Sequence, residues 1–320
     1  MFKRITALLT ALIMIISLAA CGGNENGGTD ESTTSYIRET KTTVAAVKDV
    51  TGFGVSKLAK DRDYAYTVNY FDDVQAVRDA ITNGKTDLAS MSLYDAVDMY
   101  ANGADIKVIA ANNLASMYVI TKGVKVSDFP DLKNHTIYML ENDQATNHFS
   151  DTLLEDNGIE PESLDIQKMA STDELANAIK DKDKYVLMLT GADAAKLPAD
   201  ESRRTDLDFT AIWITQKSSL PVHSVIVAGT DYIESNPDII DEFRTFNEVS
   251  VNYIISNSES GALHLADMGF FADAETSMSY ITFYSSLNYS EKENMKKVIN
   301  ETLDAVLDGE LPADDFYYIK

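Results

Sequence analysis

The chain has 320 residues, 45% of them hydrophobic and 24% charged, a balance that fits a soluble globular protein with room for two domains. Its formal net charge of −24 excludes a broad basic patch for nucleic acid or for an anionic lipid surface. A single cysteine excludes a disulfide within the chain and any multi-thiolate zinc site.

At the N-terminus Lys3 and Arg4 precede an apolar run, 5–16, and Leu18-Ala19-Ala20-Cys21 follows. A basic start, a short apolar core and small residues before a boundary read as a secretory signal over residues 1–20. The run is shorter than the roughly 20 residues a membrane-spanning helix needs. Its ending resembles a bacterial lipobox, so Cys21 is expected to become a lipid-bearing (palmitoylated) N-terminus and to anchor the protein outside the cytoplasm on the cell membrane. Residues 21–41 are rich in Gly, Ser, Thr and Asn and bury too little to offset their ordering entropy, which predicts a flexible tether.

From Thr42 onward the pattern alternates. Strands are expected at 42–47, 64–71, 87–91 and 106–110, with a Gly-containing turn at 48–54 and helices at 55–62, 72–83 and 93–101. Further strands fall at 136–140, 164–169 and 185–189, and helices at 145–156 and 172–181; beyond Asn236 the chain reads as mainly helical (237–255, 274–284, 291–307). Strands alternating with helices predict an α/β protein with largely parallel sheets. The chain also overlies itself. At an offset of 98 residues, 79–96 (DAITNGKTDLASMSLYDA) lies over 177–194 (NAIKDKDKYVLMLTGADA), and an offset of 95 puts Thr51 over Thr146. Two similar α/β lobes facing each other are the simplest reading.

Ligands of open α/β sheets sit beyond the carboxyl ends of strands, where helix N-termini offer free N–H groups. Thr51, Ser92, Thr146 and Thr190 stand at such positions, as plain helix caps or turned toward a ligand.

The segment KDVTGFG at 48–54, then NGKTDLA at 83–89, DLKNHTIY at 131–138 and LPADDFYY at 311–318 together resemble the solute-binding lipoproteins of the nitrate/sulfonate/taurine (thiamine-precursor-like) ABC-transporter family. The resemblance implies a two-lobed type II periplasmic-binding-protein fold with two crossover strands as hinge, near 116–121 and 222–228. Lobe 1 would comprise 42–120 and 222–320, lobe 2 residues 121–221. It implies a monomer that encloses a small solute (a sulfonate, an amine or a pyrimidine-type vitamin precursor) and delivers it to an ABC permease and ATPase, with no cofactor, no metal and no catalysis. The ligand set it implies is Lys48, Thr51, Gly52, Ser92, Tyr94, Asn112, Asn142, Gln144, Thr146, Thr190 and Asp193, with Trp213 either stacked on a ligand ring or packed in the second lobe. The loop at 141–144, Glu-Asn-Asp-Gln, and the Asp193 turn depart from the family pattern by bringing carboxylates near the cleft. Asp143 and Asp193 then either face a cationic or hydrogen-bond-donating ligand or are solvated helix-start residues.

Other chemistries lack their motifs. His135, His148, His223 and His264 show no metal-ligand spacing, and neither a P-loop nor a G-x-S-x-G elbow occurs. Two alternatives share the fold: a sensing or partner-docking lipoprotein, and an enzyme like the pyrimidine-synthase relatives, whose Cys/His-bearing motif is absent from the body.

Overall fold

The computed structural model describes residues 40–61, 65–307 and 311–320. The predicted signal, Cys21 and nearly all of the predicted tether lie outside the described residues. In chain order the first part forms β1 (Thr42–Val47), α1 (Val50–Phe53), α2 (Ser56–Asp61), β2 (Tyr66–Phe71), α3 (Val74–Thr82), β3 (Leu88–Ser92), α4 (Leu93–Ala101) and β4 (Ile106–Leu114). Next come β5 (Tyr118–Lys122), β6 (Thr136–Leu140), α5 (Gln144–Asp156), β7 (Asp165–Met169), α6 (Thr172–Ile179), β8 (Tyr185–Leu189), α7 (Gly191–Lys196), β9 (Arg204–Asp208) and α8 (Phe209–Lys217). The remainder supplies β10 (Val222–Gly229), α9 (Thr230–Ser235), α10 (Pro237–Ser256), α11 (Ser258–Asp267), α12 (Ala274–Phe283), β11 (Leu287–Glu291) and α13 (Lys292–Val306).

These strands build two sheets, one ordered β11-β4-β10-β3-β1-β2 and the other β7-β6-β8-β5-β9. Leaving out β11, the two orders are the same with β1 matching β6, β2 matching β7, β3 matching β8, β10 matching β5 and β4 matching β9. The pairing senses agree as well: β1 is parallel to β2 and β3, β6 is parallel to β7 and β8, and β10 and β5 each run antiparallel between their two neighbours. The internal similarity at 98 residues is therefore a repeat of β3–α4 by β8–α7. The sheets are mixed rather than largely parallel. An antiparallel strand needs no crossover helix, so β10 enters the first sheet directly on its return from the second.

β1 shows why its sequence, TTVAAV, has no polar face. Ala45 and Val47 join the core that holds Val77, Met99 and Ile299, whereas Val44 and Ala46 join the opposite core with Leu58 and Phe243. A strand covered on both faces reads as a continuous apolar run. The second sheet is covered likewise, by Phe149, Leu153 and Trp213 on one face and by Leu175 and Ile179 on the other. The chain crosses between sheets over 115–117 and returns over 218–221; the two connections run side by side, with the Ala115 N–H donating to the Pro221 carbonyl at 2.7 Å.

Candidate functional site

A cavity of about 240 Å³ opens between the two sheets. The first sheet contributes Lys48 and Asp49 from the turn after β1, Leu114 at the end of β4, and His223 on β10. The second contributes Glu141, Asn142 and Asp143 after β6, Thr146 in the first turn of α5, and Thr190, Asp193 and Lys196 on the β8–α7 corner. Every wall except the crossing residue Ser116 and the C-terminal pair Phe270 and Ser286 belongs to one of these groups or packs directly beside it. A second cavity of about 220 Å³ shares Asp49 and Asp143 with the first and is lined by Thr51, Asp72, Asp73, Ser92 and Asp95.

The walls are held by caps that repeat between the lobes. Ser92 caps α4, its oxygen accepting from the Asp95 N–H at 3.0 Å while its hydroxyl donates to the Asp95 carboxylate at 2.5 Å. Thr190 does the same for α7, accepting from the Asp193 N–H at 3.2 Å and donating to its carboxylate at 2.7 Å. At the other two helix starts an aspartate is the cap. Asp49 accepts from the Thr51 N–H at 2.8 Å and Asp143 from the Thr146 N–H at 2.6 Å. Thr51 and Thr146 thus sit inside the first turn instead of capping it, because the carboxylate ahead of each accepts more strongly than a hydroxyl.

Charge in the cleft is asymmetric. Asp49, Glu141, Asp143 and Asp193 face Lys48 and Lys196, and Lys196 is already engaged by Asp193 at 3.2 Å. Burial pushes the Asp95 carboxyl above its ordinary range, against the opposing pull of the Ser92 hydrogen bond and Arg78. His223 is 4% exposed, and its Nε2 lies 3.3 Å from Asp143 Oδ2 and 3.5 Å from Thr146 Oγ1. Burial alone would lower the imidazole, but the Asp143 charge and hydrogen bond outweigh it and hold His223 above its ordinary value. Burial opposes ionisation of Asp143 too, and is overcome by His223 and by the Thr146 N–H, leaving this carboxyl far below its usual range.

A family model described as NMT1/THI5 like matches residues 67–260. The chain belongs to the NMT1/THI5-like family. No curated protein matches it. Among solved structures, this NMT1/THI5-like chain is similar to an ABC transporter from Parabacteroides distasonis, with 15% identity over 88% of this chain and 99% of the other at a TM-score of 0.70. The periplasmic aliphatic sulphonate binding protein SsuA of Escherichia coli is similar at 16% identity, over 82% and 90%, with a TM-score of 0.64. A zinc-bound ligand-binding component of an ABC-type import system from Staphylococcus aureus follows at 15%, over 88% and 97%, with a TM-score of 0.63. These likenesses show the fold, that of the type II periplasmic binding proteins.

Of the residues the sequence singles out, the structure of this NMT1/THI5-like protein brings Lys48, Asn142, Thr146, Thr190 and Asp193 to the larger cavity and Thr51 and Ser92 to the smaller one. Gly52 is buried in α1, where a Cβ would lie 2.4 Å from the Val47 carbonyl oxygen. Asn112 is fully buried on β4, its Nδ2 facing Ser90 Oγ at 3.4 Å, away from both cavities. Gln144 is exposed at the start of α5 and lines neither cavity. Tyr94 is stacked on His148 across the lobes, ring centroids 4.5 Å apart at 17°, beside a narrow crevice of about 30 Å³. Trp213 takes the packing role: it is 0% exposed in the core of the second sheet, against Phe149, and its Nε1–H donates to Ser219 Oγ at 3.2 Å. Large aromatics bury the most apolar area per residue, and an indole N–H satisfied inside a core has no call for a ligand.

Sequence reasoning missed His223. Its signal was present, since His223 is the one ionisable side chain in the run VHSVIVAG of β10. A polar residue in a strand buried on both faces needs a partner, and here that partner stands on the other lobe. Among the described residues no group of His, Asp and Glu is arranged to hold a metal ion, and no helix is long and apolar enough to cross a membrane.

Proposed function

We propose that this chain is the extracytoplasmic solute-binding component of an ABC importer, anchored through a lipid on Cys21, that captures a small polar organic solute between two lobes and presents it to a permease. The observation that supports it most is the cavity of about 240 Å³ walled by helix starts and strand ends of both sheets. A solute touching both walls binds the closed arrangement more tightly than the open one and so shifts the population toward it. Binding and release need no covalent step, so the proposal is a receptor and not an enzyme. The lobes expected at 42–120 with 222–320, and at 121–221, are drawn in this reading to the crossings between sheets at 115–117 and 218–221, which assigns β5 to the second lobe.

The lining favours a solute with a cationic or hydrogen-bond-donating part over a simple anion. Four carboxylates line the cavity; Asp193 is paired with Lys196 and Asp143 with His223, which leaves Asp49 and Glu141 opposite Lys48. The sulphonate named for the Escherichia coli neighbour is therefore a poorer fit than an amine or an aminopyrimidine-type ring. A thermal-shift screen of the purified protein against sulfonates, nitrate, amines, pyrimidines and vitamin precursors tests this. Ligand at a hundredfold its Kd adds about 2.7 kcal/mol, a rise in melting temperature of roughly 5 °C or more. A hit confined to sulfonates or nitrate would overturn the charge reading, and no hit in any class would remove the support for a solute receptor of this kind.

A further inference from the structure

Among the described residues, His223–Asp143 is the one ion pair whose partners belong to elements of different sheets; the others lie within one lobe or within the helices that cover it. Its geometry is constrained on both sides. Asp143 is fixed because its other oxygen caps α5 through the Thr146 N–H at 2.6 Å. His223 is held by burial, at 4% exposed, and by its neighbours: Val222 pairs with β4 and Ser224 with both β3 and β4, the β4 register shifting between them at His223 itself. A second cross-lobe contact, Tyr94 on His148, lies along the same α4–α5 seam.

We propose that His223 and Asp143 form a proton-operated latch that closes the cleft while the imidazole is doubly protonated and loosens it when one proton leaves. The inference rests on the two-lobed receptor reading for its purpose, though its test needs no solute. Nε2–H donates to Asp143 in either state. The proton lost is therefore the one on Nδ1, which is buried and has no protein partner. Deprotonation leaves the hydrogen bond in place but changes it from charge-assisted to neutral, about half as strong. Expressed as a closed-to-open ratio, that is a loss of roughly fivefold to tenfold.

Other charges near His223 act with this switch or stay apart from it. Asp49 after β1 and Asp95 on α4 add to the negative field around the imidazole. Lys48 shares the cavity wall and opposes them, as Glu141 before α5 reinforces them; Asp193 and Lys196 on α7 are paired with each other. His148 of α5 and Tyr94 of α4 border the crevice beside His223, and α13 presents only Thr302, Leu303 and Val306 there. The sign follows from these surroundings. His223 is raised from the ordinary 6.5, so its contribution to closure is full below pH 6.5 and is lost as pH climbs through the raised value. Asp143 is lowered, so it stays ionised across that whole interval and fails only in strong acid.

The test uses the full chain carrying Cys21→Ser, with spin labels at Lys85→Cys on the first lobe and Lys180→Cys on the second, both exposed positions. Distances are measured by electron–electron double resonance at pH 5.5 and 8.5 without ligand. The expected result is a narrow short-distance population at pH 5.5 that loses weight to a longer one at pH 8.5. His223→Gln should give the longer population at both values, and Asp143→Asn should do the same while moving the histidine midpoint, read by carbon-13 NMR, downward. A distribution that does not change with pH in the parent chain overturns the latch, as does a His223→Gln chain that keeps the parent's response. Should His223→Gln fail to fold, a parent-chain midpoint at or below 6.5 overturns it equally. A thermal-shift hit with no pH response sinks the latch and spares the receptor; a pH response with no hit supports the latch and counts against the solute reading.

Discussion

At the residue scale, the site is a set of short polar side chains doing two jobs. Ser92 and Thr190 each hold a helix start and each present an aspartate to a cavity through the same three-residue spacing. Removing a Ser or Thr cap costs about 1 kcal/mol, so Ser92→Ala and Thr190→Ala should each lower the melting temperature by roughly 2–4 °C. Because the two sites lie on different lobes and share no partner, the double variant should lower it by the sum. A double variant no worse than either single one would show that the caps are coupled, contrary to this account. These positions were legible in the sequence since a hydroxyl between an apolar strand and a helix has few other uses. What could not be read was which residue caps. The KDVT and ENDQAT stretches each place an aspartate ahead of the threonine, and the choice between them depends on backbone angles that composition does not reveal.

At the element scale, α7 is wedged between the cleft and the end of α12. Asp193 and Lys196 face the cavity, and Gly191 meets Tyr284, whose carbonyl oxygen would lie 2.6 Å from an added Cβ. No side chain fits there without moving backbone. Gly191→Ala should therefore destabilise by about 1–3 kcal/mol. It should also weaken solute binding, because displacing α7 carries Thr190 and Asp193 out of place; calorimetric titration with the screen's best hit would read this, and unchanged affinity would contradict it. Elements with strong local patterns were readable to the residue: Thr42–Val47, Leu93–Ala101, Thr136–Leu140 and Tyr185–Leu189 match their expected bounds. Others were not. β11, LNYSE, lies in a stretch otherwise helical, and it is a strand only because β4 offers a free edge to it. α8 carries exposed Ala211 and Ile214 away from the face shared by Phe209, Ile212 and Trp213, and so lacks the one-sided stripe that marks an amphipathic helix. His223 shows the same limit in another form. Its own segment predicted a strand, while its partner lies 80 residues earlier, a distance over which sequence pattern carries no information.

At the scale of the whole molecule, Arg244 ties three distant parts of the first lobe together. It is 1% exposed on α10, and its guanidinium donates to the carbonyls of Ile109 on β4, at 3.0 Å, and of Tyr318 and Lys320 in the C-terminal segment. Its guanidinium also lies over the Tyr318 ring, 4.8 Å from the centroid. The exposed Asp241 carboxylate at 3.2 Å completes the shell. Arg244→Met fills much of the same volume but strands those carbonyls. Loss of one partner in a buried charged network costs about 3–5 kcal/mol, so a melting temperature lower by at least 6 °C or so is expected. The segment 311–320 should also become open to carboxypeptidase. A variant that melts normally and resists digestion would show the segment to be held by Phe316 and Tyr317 in the core alone.

The matching strand orders of the two sheets conceal a difference in how each is completed. All five strands of the second sheet come from one unbroken stretch, β5 through β9. The first sheet has a gap between β3 and β4 that only β10 fills, more than a hundred residues later in the chain. During synthesis or export, the second sheet therefore has all its strands before the first can close. Residues 42–114 must wait with the edges of β3 and β4 unpaired until β10 arrives. The second sheet thus lies wholly within the excursion between β4 and β10, and the first is closed by β10, the strand that carries His223.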